Sequence, residues 1–211
     1  VNAKNEDQSI EQAVQAANES DIAIVVAGIE EGEFRDRGYL ALPGRQEELI
    51  RRVAATGKTT VVVLIGGSAV VMSEWQDQVP AVLNAWYPGE QGGTAVAEAL
   101  FGDYNPGGRL PLTYYNALEE LPPFDDYDIR KGRTYQYFKG NPLYPFGYGL
   151  SYTDFAYQKL NVRTEADTLW VDFTLANAGK RDGDEVAQVY IQFPQTEEQM
   201  PVKQLKGFRR V

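Results

Sequence analysis

Asp21-Ile-Ala-Ile-Val-Val-Ala-Gly28 is a short, continuous apolar run ending in glycine, and its reading decides the fold. Such a run suits a strand covered on both faces, as in a parallel sheet. Two more of the same kind follow, Thr59-Thr-Val-Val-Val-Leu-Ile-Gly-Gly67 and Ala81-Val-Leu-Asn-Ala-Trp-Tyr87. Helical patterns lie between and around them. Ser9 with Gln12 three residues on reads as a capping box, and Ile10, Ala13, Val14 and Ala17 share one face. A second helix is expected from about Arg45 to Thr56, with Leu49, Ile50 and Val53 inward and Gly57 as its stop. A third is expected over Gly92 to Phe101, stopped at Gly102. Strand-helix-strand repetition predicts an α/β fold, a mainly parallel sheet flanked by helices.

Beyond Gly102 the character changes. Residues 103–150 are rich in Gly, Pro and Tyr without a sustained period, and a long irregular stretch of this kind is usually functional or wrapped along another domain. From about Phe155 the pattern alternates. Leu169, Val171, Phe173 and Leu175 face one way and Trp170, Asp172 and Thr174 the other; Ala187, Val189, Ile191 and Phe193 repeat this opposite Gln188, Tyr190 and Gln192. Asn177-Ala-Gly179 is turn material between them, so an antiparallel β module is expected. The division expected is 1–153 for the α/β part with its Gly/Pro/Tyr-rich tail, and 154–211 for the β module. The latter is short for a complete seven-strand sandwich and is expected to be incomplete.

The 211 residues carry 20 Lys plus Arg against 30 Asp plus Glu, a net charge of −10. That balance argues against nucleic acid or an anionic membrane surface as partner, since either wants a basic patch. Histidine and cysteine are both absent. No disulfide, thiolate nucleophile, Ser-His-Asp triad or Cys/His metal site is therefore possible. Acid/base chemistry falls to carboxylates, lysine or tyrosine, and no cofactor is expected. No apolar run reaches the ~18 residues of a membrane span, and the N-terminus does not read as a signal peptide. Any export signal is expected upstream of residue 1.

Chemistry concentrates after the first strand, in Gly28-Ile-Glu-Glu-Gly-Glu-Phe-Arg-Asp-Arg37. Ligands of open α/β sheets meet the loops at the carboxyl ends of strands. Glu30, Glu31, Glu33 and Asp36 share this one loop with two arginines. One reading is a carboxylic acid that donates a proton while arginines hold the loop. The other is a solvated, self-neutralising surface loop, and spacing alone favours it. The glycines do not read as a phosphate cradle: Gly66-Gly67 lacks both the GxGxxG spacing and a P-loop Lys, and Gly89-Glu-Gln-Gly-Gly93 carries Glu90, which would repel phosphate. The aromatic stretches Arg133-Thr-Tyr-Gln-Tyr-Phe138 and Tyr144-Pro-Phe-Gly-Tyr-Gly-Leu-Ser-Tyr152 suit either sugar stacking or burial of a linker, and the second is favoured for most of the rings.

Several blocks resemble glycoside hydrolase family 3. They are Glu31-Gly-Glu-Phe-Arg-Asp-Arg37 with Leu40-Ala-Leu-Pro-Gly-Arg-Gln46, Trp86-Tyr-Pro-Gly-Glu-Gln-Gly-Gly93, the run from Leu100 to Thr113, and Pro142-Leu-Tyr-Pro-Phe-Gly-Tyr-Gly-Leu-Ser-Tyr-Thr153. Asn177 to Tyr190 and Leu205-Lys-Gly-Phe208 resemble the family's fibronectin type III-like module. The blocks stand in family order from about residue 21 onward. The resemblance implies a retaining, exo-acting β-glucosidase or β-xylosidase, usually exported to the periplasm or outside, acting on β-linked oligosaccharides or aryl glycosides. It also implies that the nucleophilic aspartate lies in an N-terminal TIM barrel of the same protein, absent from this chain. The common family form places the general acid/base three residues before the Asp-Arg pair, which is Glu33, with Glu31 in reserve. Asp36 and Arg37 are expected to pair with each other and fix the loop. Gly89, Gly92, Gly93, Gly147 and Gly149 are read as structural. A non-catalytic carbohydrate-binding or interaction module that kept the fold is the alternative. A stand-alone response-regulator-like domain is disfavoured by the aromatic stretch and the β module.

Overall fold

The computed structural model describes residues 3–194 and 200–211. Its first part runs α1 (Ala3–Asn18), β1 (Ile22–Gly28), α2 (Gln46–Ala54), β2 (Thr59–Ile65), β3 (Ala81–Trp86) and α3 (Gly92–Phe101). The three strands form one sheet in the order β1-β2-β3, both pairings parallel. Ile22 lies beside Thr59 and Gly28 beside Ile65, so the carboxyl ends of neighbouring strands lie level. Gly102 follows α3 with φ +83°, the left-handed stop expected of it.

Two expectations are corrected. Ser9 does not open α1, which begins six residues earlier. Residues 3–8 contain no Gly or Pro to prevent helix, and Glu6 in the first turn complements the helix dipole. Nor is β1 covered on both faces. Ala23, Val25 and Ala27 are buried, whereas Ile22, Ile24 and Val26 are 58%, 48% and 64% exposed. The inward set joins one core with Ala17 of α1 and with Ile50 and Val53 of α2, Ile50 fully enclosed. The opposite side of this edge strand has no such layer among the described residues.

The core continues through Val62, Leu64, Met72 and Trp75 to Tyr114, which is 2% exposed. Each such aliphatic side chain contributes about 1.5–3 kcal/mol by leaving water. Burial pushes the Tyr114 hydroxyl from an ordinary pKa of 10.0 to about 12, although Asn84 donates a hydrogen bond to its oxygen at 3.1 Å and works the other way. A pKa raised on folding favours the neutral form in the native state. That stability is complete below pH 10 and is lost as pH rises towards 12. Urea denaturation across pH 9–12 is therefore expected to show a falling stability that Tyr114→Phe partly flattens. An equally steep fall in the variant would place the alkaline weakness elsewhere.

The aromatic tail packs on the α/β core through Tyr114, Leu143 and Tyr144, on itself, and on the β module. Apart from short helical turns and α4 (Thr134–Tyr137) it is irregular. The Tyr135 ring stacks on Phe146 at 4.3 Å and meets Tyr190 edge-on at 6.0 Å, while Tyr144 stacks on Tyr148 and Tyr115 meets Phe138. This is the linker-burying role. The β module comprises β4 (Phe155–Glu165) with β5 (Thr168–Asn177), and β6 (Val186–Ile191) with β7 (Gln204–Arg210), each pair antiparallel. The expected alternation holds in Val171, Phe173 and Leu175, which are partly buried between exposed Asp172 and Thr174, but Leu169 is exposed. Tail and module are joined by the Arg109–Glu185 ion pair, both side chains about nine-tenths buried, and Tyr157 donates its hydroxyl to Glu185 at 3.1 Å. Gly147, at φ +83°, lies under Gln188 and Tyr190 where a side chain would collide. Among the described residues no helix is long and apolar enough to cross a membrane.

A clamped acidic loop at the sheet's carboxyl edge

Parallel register brings the loops after β1, β2 and β3 to one edge, and that edge carries the acidic loop. Its base is built from main chain. The Ile29 amide donates to Ile65 O at 2.9 Å, and the Gly66 amide to Trp86 O at 3.1 Å, so the strand ladder runs past the last strand residues. Gln46 then closes the end of β1. Its side-chain oxygen accepts from the Gly28 amide at 2.7 Å, and its amide nitrogen donates to Gly28 O at 2.9 Å and Pro43 O at 3.0 Å. This gives the Leu-Pro-Gly-Arg-Gln stretch a physical role, holding α2 against the strand end. The motif was legible in the sequence; the function of Gln46 was not.

Glu31 is the most heavily engaged acid of the loop. Its carboxylate accepts the Gly67 amide at 2.8 Å and the Ser68 hydroxyl, and lies 3.2 Å from Arg37 Nε. Its own amide donates to Tyr87 Oη at 3.2 Å, and that hydroxyl donates to Ile29 O at 3.3 Å. Gly67 is needed here, since a Cβ would stand 2.9 Å from the Glu31 oxygen and 2.8 Å from the Tyr87 ring. Its amide is thus occupied by a protein carboxylate, in keeping with the absence of a phosphate signature. Arg37 also donates through Nη2 to Ser68 Oγ at 2.6 Å and Ala69 O at 3.0 Å. The expected Asp36–Arg37 pair is not formed. Arg37 turns inward to Glu31, because there its guanidinium finds a carboxylate, a hydroxyl and a carbonyl together, while Asp36 is exposed.

Between these anchors the loop tip stands clear. Arg35 N donates to Gly32 O at 3.0 Å, closing a turn, and Phe34 takes φ +63° with its ring 94% exposed. Glu33 is exposed, and among the described residues no hydrogen bond or ion pair holds its carboxylate. Glu31 and Glu33 therefore differ in what they are able to do. A general acid must come within hydrogen-bond reach of the atom it protonates. The Glu31 oxygens are already committed to groups of this chain, and the Glu33 carboxyl is presented outward on an anchored base. The concave place at the joint, about 250 Å³ and lined by Arg109, Phe146, Tyr148, Tyr157, Glu185 and Tyr190, is far less suited to chemistry. Its Arg109 and Glu185 are paired with each other, and Lys203 lies over the Tyr190 ring, as the weld between tail and module requires.

Comparison with known proteins gives a consistent picture. The family pattern described as the glycosyl hydrolase family 3 C-terminal domain matches residues 1–152, and that of a fibronectin type III-like domain matches residues 185–211. A xylan 1,4-beta-xylosidase of Xylanibacter ruminicola is 43% identical over 178 residues, covering 83% of this chain and 20% of the relative. A periplasmic beta-glucosidase of Salmonella typhimurium is 34% identical, covering 100% of this chain and 30% of the relative. Among solved structures, the beta-glucosidase of Kluyveromyces marxianus in complex with glucose superposes with a TM-score of 0.90 at 32% identity, over 97% of this chain and 27% of that one. The chain thus spans less than a third of the length of these relatives.

Proposed function

Because the chain belongs to glycoside hydrolase family 3, matching the C-terminal domain of its members, we propose that it supplies the general acid/base to a retaining, exo-acting β-glycosidase. The substrate class is a β-linked oligosaccharide or aryl glycoside of glucose or xylose, in line with the names of the relatives. Glu33 donates the proton to the leaving oxygen. The nucleophilic aspartate comes from a TIM-barrel domain of the same protein preceding this part, and in net retention the two carboxyl groups stand about 5–5.5 Å apart. The observation that carries the reading is the uncommitted Glu33 carboxyl at the exposed tip of a loop whose base is tied to all three strand ends. Export, to the periplasm or beyond, goes with this reading and is supported by the periplasmic relative.

The proposal has a direct test. Purified residues 1–211 are expected to release no nitrophenol from nitrophenyl β-glucoside or β-xyloside, because an acid without a nucleophile cannot form the glycosyl-enzyme. The longer protein containing the barrel is expected to turn over at least one of the two. Turnover by 1–211 alone would refute the division of labour, and inactivity of the longer protein on the whole glycoside panel would favour a non-catalytic module.

A further inference from the structure

We propose, resting on the assignment of Glu33, that Glu31 is a positioning residue: a carboxylate that clamps the loop so that Glu33 is delivered to one place. The geometry has three parts. First, Glu31 joins the loop to the end of β2 through the Gly67 amide at 2.8 Å and the Ser68 hydroxyl, so that it is fixed by two neighbouring residues of a single turn. Second, Arg37 closes the far side. With only 14% of its side chain exposed, against 21% for Glu31, it meets Glu31 at 3.2 Å through Nε and reaches Ser68 and the Ala69 carbonyl through Nη2. Ser68 Oγ thus accepts from the arginine while donating to the glutamate. Third, the two clamped residues bracket 32–36, a span of five residues folded by the Gly32–Arg35 turn with Glu33 inside it. Holding both ends of so short a span restricts where the intervening carboxyl group can go.

The chemistry favours a carboxylate over its neutral isostere. Every group facing the Glu31 side chain is a donor: an amide, a hydroxyl and a guanidinium. Gln at this position keeps the size and replaces one acceptor with an NH₂ that points donors at donors. The clamp then opens without a cavity or a new apolar surface. Misplacing a catalytic group by about 1 Å is enough to cost about 10²-fold. Glu31→Gln in the full-length enzyme is therefore expected to lower kcat for a β-linked disaccharide by about 10- to 100-fold while KM changes little. Ser68→Ala, a milder lesion that removes one donor, is expected to lower it by a few-fold, and keeps the test open if Glu31→Gln folds poorly.

A double-mutant cycle separates positioning from other roles. If Glu31 acts only through Glu33, adding Glu31→Gln to Glu33→Ala causes little further loss, whereas independent roles multiply. Glu31→Gln is also expected to retain the alkaline fall of the pH–kcat/KM profile and to yield no β-glycosyl azide in the presence of azide, because the acid/base is still there. Wild-type rates in folded Glu31→Gln and Ser68→Ala, with Glu33→Ala still rescued by azide, would overturn the clamp and leave the Glu33 assignment standing. Azide rescue in a Glu31 variant, with Glu33→Ala behaving as wild type, would overturn both and make Glu31 the acid itself.

Discussion

Glu33→Ala in the full-length enzyme is expected to lose about 10²–10⁴-fold in its rate on a β-linked disaccharide, whose sugar leaving group is a strong base and needs a proton as the bond breaks. Formation of the glycosyl-enzyme from a dinitrophenyl glycoside should be nearly spared, because that leaving group departs without help. Deglycosylation should then become limiting, since under the proposed assignment the same carboxylate is the base that activates water. Azide, a nucleophile that needs no deprotonation, should restore turnover and release a β-glycosyl azide. Burst kinetics with product analysis would show this directly. The structural ground is that the Glu33 carboxyl lacks a partner within the described chain, so its removal disturbs no contact seen here and a loss of rate reports chemistry rather than folding. Equal losses on both leaving groups, without azide rescue, would remove Glu33 from the acid/base role.

The second large effect is on stability. Glu185→Ala is expected to destabilise the joint between tail and β module by about 3–5 kcal/mol, the usual cost of leaving one member of a buried ion pair alone. Arg109, whose side chain is 10% exposed, would keep its charge without a partner, and the Tyr157 hydroxyl would lose its acceptor. The Arg163–Glu165 pair on β4 provides the contrast. Its side chains are 43% and 61% exposed, and Glu165→Ala is expected to change stability by less than about 1 kcal/mol. Replacing both buried partners together, Arg109→Met with Glu185→Leu, should recover most of the loss, because no uncompensated charge remains. Chemical denaturation of the four proteins, with limited proteolysis to locate the loosened part, decides the matter. Equal effects of Glu185→Ala and Glu165→Ala would show that the joint is held by its stacked rings rather than by the pair.

Much of the architecture was legible in local pattern. The three apolar runs became β1, β2 and β3 within two residues at their ends, and α3 spans the residues its glycines bracket, because Gly102 supplies the left-handed turn that ends it. The start of α1 was missed for a physical reason. A Ser followed three residues later by Gln satisfies the local rule for a cap, but a helix with nothing to stop it upstream runs through such a pair. The aromatic stretch was readable as linker packing, although which ring stacks on which depends on chain far away in sequence, as with Tyr135 between Phe146 and Tyr190.

What the sequence by itself determined is the three-strand, three-helix series of the α/β part, its parallel sense, and the residue types from which any acid/base chemistry must be drawn. Those follow from forces acting over a few residues: periodic burial, turn preferences and the absence of His and Cys. Only the tertiary structure decided which side of β1 is covered, since an apolar run is the same string whether one face or two meet a neighbour. Only it gave Glu31 and Glu33 different surroundings. The two lie two residues apart with the same chemistry, and what distinguishes their surroundings is Gly67, Ser68 and Arg37, which strand register brings around one carboxylate and not the other. Hydrogen bonds to a side chain are fixed by positions in space, and for Glu31 two of the donors lie 36 and 37 residues along the chain.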